Sequence, residues 1–220
     1  MRLAILSASA TLLVLGSASP AVVTVFGQRA NASDCVTIAK PKPTTTFVYQ
    51  HTEPGGRATR VTNTWERVSE TGSRLRADGP AGIFVQVNAH HVANDVIVLE
   101  GSSKLGPGGN PLDSTTFQPG LIAEPAFRAC AGQSWQIPPV TATFKSGQTN
   151  TSASTPAGTL KIVAVHESVT VPAGTFDTVH YSRTSQSTDE YWKSIEQGVI
   201  VKHTATLPVG TVSEVLVEIR

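Results

Sequence analysis

VTVPAGTFDTV, residues 169–179, sets Pro172-Ala173-Gly174 between two runs of β-prone residues. Proline presets the first central position of a type I turn, alanine tolerates the second, and glycine takes the left-handed backbone that follows. The stretch therefore reads as a three-residue hairpin with a glycine bulge. Its one acid–base group, Asp177, lies beyond the turn, so the loop shapes the chain and needs no catalytic explanation.

Counting outward, Val171 pairs with Thr175, which sets Glu167 opposite Val179, Val165 opposite Tyr181 and His166 opposite His180. One face then carries Val163, Val165, Val169, Val171, Val179 and Tyr181, and the other Ile162, His166, Phe176 and His180. Apolar side chains on both faces suit a sheet that curls around an interior while packing another element outside.

The same style of sequence continues on both sides of the hairpin. Helical periodicity is nearly absent, and short Thr/Val/Ser-rich runs alternate with Gly, Pro, Asn and Asp. Strands are expected over 46–53, 58–69, 74–77, 83–89 and 92–100, then over 140–145, 159–171, 175–184, 189–193, 199–206 and 211–219. The breakers in 101–120, densest at Gly106-Pro107-Gly108-Gly109-Asn110-Pro111, predict a long surface loop. A short helical turn is expected around 123–131, and a flexible hairpin tip over 148–158. The expected fold is all-β and mostly antiparallel: a single curved sheet or half-barrel with at most one or two short helices.

The first 32 residues read differently. Arg2 precedes the apolar run Leu3–Leu15, and Ala30-Asn31-Ala32 forms a small-residue cleavage signal, so 1–32 is expected to be a signal peptide cleaved after Ala32. Gly16-Ser17-Ala18 is an earlier alternative site, and the patch Ala21–Phe26 also fits an uncleaved anchor. Asp34 directly ahead of Cys35 departs from the lipobox pattern of a lipid anchor. Residues 33–220 are then one β-rich domain, periplasmic or secreted, with no transmembrane segment in the mature chain. Losing Arg2 and Arg29 leaves 15 basic against 16 acidic residues, with no basic stripe to suggest nucleic acid.

Two cysteines, Cys35 and Cys130, follow the leader. In an oxidising compartment an even pair reads as a disulfide; a pair of free thiols is the competing reading.

Several constellations invite chemistry. Of the six histidines, His90 and His91 are adjacent on a strand pattern and so point to opposite faces. His166 and His180 are the weak metal candidates, since opposed Cβ atoms lie about 5 Å apart, but no third or fourth ligand stands at signature spacing. Gly132-Gln133-Ser134-Trp135 lacks the second glycine of a nucleophile elbow. Glu66, Glu70, Asp189 and Glu190 could supply a carboxylate pair, and solvated strand faces would look the same. No catalytic residue, metal or cofactor is assigned. Trp65, Phe84, Trp135, Phe176, Tyr191 and Trp192 are expected to line the core or a cavity.

The rhythm from the Pro-Ala-Gly turn through Phe176 to Tyr191-Trp192 and Gly198-Val199-Ile200-Val201-Lys202 resembles a bacterial periplasmic family known only as a domain of unknown function. The resemblance covers roughly 130–206, including Gly132-Gln133-Ser134-Trp135, and fades over 46–100. Members of that family look like the open β-sheets of lipoprotein carriers (LolA-like half-barrels). The resemblance implies a fold and an apolar cavity, with no established activity and no catalytic set to carry over. The leading expectation is an exported, non-enzymatic protein that binds an apolar or amphiphilic, lipid-like ligand in the concave face. The alternative is a structural or interaction module with a filled β core and no small-molecule ligand, meeting an envelope protein through the Gly101–Gly120 loop and its rims.

In non-reducing mass measurement, the Cys35–Cys130 disulfide should leave the exported chain two hydrogens lighter than the dithiol. Recovery of two alkylatable thiols would exclude the bridge.

Overall fold

A computed structural model describes residues 34–220; the expected signal peptide and its cleavage site lie outside the described residues. Among the described residues sixteen strands follow one another: β1 (Cys35–Thr37), β2 (Thr46–Thr52), β3 (Ala58–Val68), β4 (Gly72–Gly79), β5 (Gly82–Ala93), β6 (Val96–Leu105), β7 (Pro111–Pro125) and β8 (Arg128–Cys130). The second half holds β9 (Ser134–Ile137), β10 (Val140–Ser146), β11 (Thr149–Thr155), β12 (Gly158–Val171), β13 (Gly174–Thr184), β14 (Thr188–Ser194), β15 (Ile200–Leu207) and β16 (Gly210–Ile219).

Fourteen of these form one antiparallel sheet, in the order β11-β10-β7-β6-β5-β4-β3-β2-β16-β15-β14-β13-β12-β9, while β1 and β8 pair separately. The all-β expectation holds, and no α-helix occurs among the described residues. Two meanders, β2–β7 and β12–β16, meet where the last strand pairs with the first long one, Leu216 beside Tyr49.

Two connections dictate the curl. β9 lies at one end of the sheet and β10 next to the other, yet only Pro138-Pro139 separates them. β11 and β12 are likewise at opposite ends, with only Pro156-Ala157 between. Three residue steps reach at most about 11 Å, so the two ends of the sheet must adjoin. No ladder joins them, and the sheet stays open.

The principal core fills this seam. Val96, Val98 and Ile122 of β6–β7 pack against Trp135, Leu160, Ile162, Val179 and Tyr181 of β9, β12 and β13, with Val36 and Ile38 beside them. Polar contacts cross it too: Trp135 Nε1 donates to the Asn94 carbonyl at 2.9 Å, and buried Lys193 donates to Glu124 Oε2 at 2.9 Å. A second cluster gathers Phe47, Tyr49 and Leu216 with Val199 and Val201 under the β12–β13 hairpin, whose tip bonds through the Ala173 N–H to the Leu216 carbonyl.

Most expected strands are present within a residue or two. The exceptions have separate local causes. The 101–120 loop is instead the end of β6, a tight turn and most of β7. Its breakers concentrate in Gly106–Asn110, closed by Gly106 N–H to Asn110 C=O at 2.8 Å. Pro119 sits where β7 slips register against β6, between Thr116 and Leu121, and a bulge is where a strand tolerates proline. The expected 92–100 strand spans a turn, since Asn94 and Asp95 have φ of 48° and 66° and separate β5 from β6. The 123–131 helical turn is the end of β7 followed by β8, held by the Ala126 N–H bonding to the Asp95 carbonyl. The 148–158 tip contains β11, a strand whose small polar residues bury no face and so give no alternation to read.

Gly198, which opens the Gly-Val-Ile-Val-Lys run, has φ of 67° and lies directly under the Ala39 carbonyl, where a Cβ would clash. Gly198→Ala combines a left-handed penalty with overpacking, about 2 kcal/mol or more together. Its urea midpoint should fall with the slope unchanged; a wild-type midpoint would refute this close approach.

Candidate functional site

The hairpin that reads so clearly in sequence is built with a different register. The turn takes two residues, Pro172 and Ala173, and Gly174 opens β13 with φ of 138°. Val171 accordingly faces Gly174 instead of Thr175. Two bulges in β12, at Val163 and His166, each add one unpaired residue, so Glu167 faces Thr178, Val165 faces Val179 and Ile162 faces Tyr181. His166 is therefore not opposite His180, which faces Ala164. His166 itself takes φ of 60°, and its exposed ring meets Asp177 Oδ2 at 2.8 Å. The two weak metal candidates are separated, and among the described residues no group of three His, Cys, Asp or Glu side chains is arranged to hold a metal ion.

Each histidine of the expected pair is instead held by carboxylates. The His180 ring lies between Glu167 Oε2 at 2.9 Å and Glu190 Oε2 at 2.8 Å. An imidazolium donates to both at once, whereas a neutral ring donates to one. The ring stacks on Trp192 at 4.4 Å, and the Trp192 indole N–H donates to Glu167 Oε1 at 2.8 Å. Lys202 Nζ covers the Trp192 ring, 4.4 Å from its centroid.

A second polar row runs through directly paired positions: Tyr181 on β13, Tyr191 on β14, His203 on β15, Glu214 on β16 and His51 on β2. Direct pairing places all five on one face. Tyr181 stacks on Tyr191 at 4.8 Å, Tyr191 stacks on His203 at 4.4 Å, and His51 meets Glu214 at 3.9 Å. Asp189 ties the row to β13, lying 3.4 Å from His203 Nε2 and 3.6 Å from Arg183, which also donates to the Tyr191 hydroxyl at 3.2 Å.

Burial sets the protonation of this row. It opposes charge on Asp189, but the His203 hydrogen bond and the Arg183 charge together outweigh it, so Asp189 titrates below the ordinary range. Burial raises Glu214 against the pull of His203 and His51, and it pushes Tyr191 up to about 12 and Tyr181 well above its usual value. The acids and bases here are spent on one another, which makes the row a fixed strut between strands. Its members His51, Arg183, His203 and Glu214 went unrecognised in the sequence, because each is a lone polar residue until pairing aligns them.

The other nominated residues separate. Trp135 is 1 % exposed in the seam core. Trp65, Phe176 and Trp192 rest against the second cluster, and Tyr191 against the first. Phe84 is half-buried, with Lys104 Nζ 5.3 Å from its centroid. Cys35 and Cys130 are bonded, pinning β1 to β8 across a sequence separation of 95. Beside the bridge a groove of about 420 Å³ is lined by Asp34, Cys35, Ala131, Val163, Ala164, Val165 and His166. None of the nominated aromatics lines it.

The sequence matches no protein-family model, and no curated protein matches it. Among solved structures it is similar to a candidate exported protein with a YmcC-like fold from Bacteroides fragilis NCTC 9343, with 12 % identity and a TM-score of 0.45, over 84 % of this chain and 100 % of that one. At that score the likeness carries no argument. The periplasmic-family motifs and the lipoprotein-carrier likeness gain no match from these comparisons.

Asp189 contributes stability that is fully present above its unfolded pKa of about 3.8 and is lost as pH falls through its lower folded value. Asp189→Asn should therefore be less stable than wild type at neutral pH, with the difference shrinking in acid below that range. Glu214 carries the opposite sign. Urea titrations at stepped pH measure both, and a difference for Asp189→Asn that grows in acid would contradict the assignment.

Proposed function

We propose that this chain is an exported, non-enzymatic interaction module, its curled sheet filled by its own side chains and its rims meeting a protein of the envelope or cell surface. The observation that carries the reading is the seam core: Trp135, Tyr181, Ile122, Leu160 and Ile162 are each at most 1 % exposed, in the interior where a carrier would keep a ligand cavity. Export is supported by the Cys35–Cys130 bridge, because disulfides persist in oxidising compartments. A periplasmic or secreted location follows from it. The described residues include no helix long and apolar enough to cross a membrane. A structural role for the titratable groups is supported by their mutual pairing in the His180 clamp and the Asp189–His203 row.

The second reading, a carrier of an apolar or amphiphilic ligand, has one observation in its favour. The groove beside the disulfide, at about 420 Å³, falls within the roughly 300–1,000 Å³ typical of ligand sites. Against it, the lining includes Asp34 and His166 and lacks the convergent aromatic wall of an apolar pocket.

Purified protein titrated with a fluorescent fatty-acid probe should show no saturable uptake, and mass spectra of native protein should show no co-purifying lipid. Saturable uptake abolished by Val163→Asp, in the groove wall, would replace the module with the carrier.

A further inference from the structure

β11 is an open edge of the large sheet, and it is built unlike a protected one. An edge strand presents a row of unpaired N–H and C=O groups, and folded proteins blunt such edges with lysine, proline, bulges or shortness. Thr149-Asn150-Thr151-Ser152-Ala153-Ser154-Thr155 uses none of these. It has seven residues, carries no charge and no proline, and is mostly exposed. It pairs with β10 in unbroken register from Val140 opposite Thr155 to Ser146 opposite Thr149. The opposite edge shows what protection looks like: β9 has only four residues and buries Trp135 and Ile137. Among the described residues no strand pairs with the outer side of β11.

The sequence of the edge indicates its occupant. The strand is nearly symmetric about Ser152, with threonine at both ends and small uncharged residues between. We propose that β11 pairs antiparallel with β11 of a second copy of this chain, about a two-fold axis through Ser152. Such a contact is isologous and closes on itself. Thr149 then faces Thr155, Asn150 faces Ser154, Thr151 faces Ala153, and Ser152 faces its own counterpart. Small hydroxyl and amide pairs of this kind are favourable across a ladder, whereas like charges directly opposite are not.

Charge agrees with this occupant. The nearest ionic side chain on the neighbouring strand is Lys145, one strand inward and opposite Asn150, so two copies bring no like charges together across the new ladder. A foreign peptide would draw specificity from pockets flanking the edge, but the Thr143 hydroxyl beside Ser152 is already bonded to it at 3.0 Å. One seven-residue ladder is small against the ~1,200–2,000 Å² of stable interfaces, so the pairing is reversible and depends on concentration. The inference rests on the interaction-module reading and names a partner for it.

Sedimentation equilibrium of the full chain from micromolar to millimolar concentration should show a reversible monomer–dimer equilibrium. Ser152→Lys and Ser152→Glu, both at an exposed position, should each be monomeric throughout, because each sets like charges across the axis. An equimolar mixture of the two should recover dimer, since lysine then faces glutamate. A wild type monomeric at every concentration, a Ser152→Lys variant that dimerises like wild type, or a mixture that stays monomeric would each overturn the pairing. Fatty-acid probe uptake read in the same samples keeps the two ideas apart. Uptake sinks the module, while monomers without uptake sink only the β11 contact.

Discussion

Pro138-Pro139 and Pro156-Ala157 join strands from opposite ends of one sheet, and the packing of the principal core follows from the shortness of those links. The prolines interrupt a long hairpin. Its root, β9 with β12, belongs to the β13 side, and its tip, β10 with β11, belongs to the β7 side. Proline cannot donate to a ladder, so the hairpin can change neighbours there without losing a bond it would otherwise make. Because the linkers are so short, the two ends of the sheet have to meet, and the apolar faces of β6–β7 and β12–β13 bury each other instead of facing water.

Meeting ends also explain the polar contacts that cross the seam. Lys193 on β14 reaches Glu124 on β7, and Gln133 reaches Asp95 in the β5–β6 turn, both across the seam. A buried cation is tolerated only when paired and hydrogen-bonded, and Lys193 also donates to the Pro125 carbonyl. The row from Tyr181 to His51 does comparable work from the second meander across into β2, lining up on five adjacent strands of the sheet. These groups restrict the sheet to one register in a way that apolar contacts alone, which tolerate sliding, do not.

The hairpin at Pro172 shows how far residue patterns reach. Turn chemistry is local, so Pro-Ala-Gly located the reversal to within a residue. Register is cumulative, so one residue fewer in the turn and two bulges moved each pair along the strand, and with them the expected His166–His180 encounter. A bulge at His166 leaves no sequence mark, because nothing about a histidine announces φ of 60°. The polar row was invisible for a related reason: its members are scattered along the chain from His51 to Glu214 and share a face only after five strands pair. The carboxylates Asp189 and Glu190 were noticed, but as a catalytic pair they do not meet, since adjacent strand residues point to opposite faces.

Sequence alone determined the strand content, most strand positions and the pairing of Cys35 with Cys130, because β-propensity, breakers and an even cysteine count act locally or by composition. Tertiary structure alone decided that the 101–120 stretch is mostly strand, that Trp135 and Tyr181 fill the seam, and that β11 is left as an open edge. Those outcomes depend on which strand lies beside which. That order is set by chain closure through two proline linkers, and no window of neighbouring residues contains it.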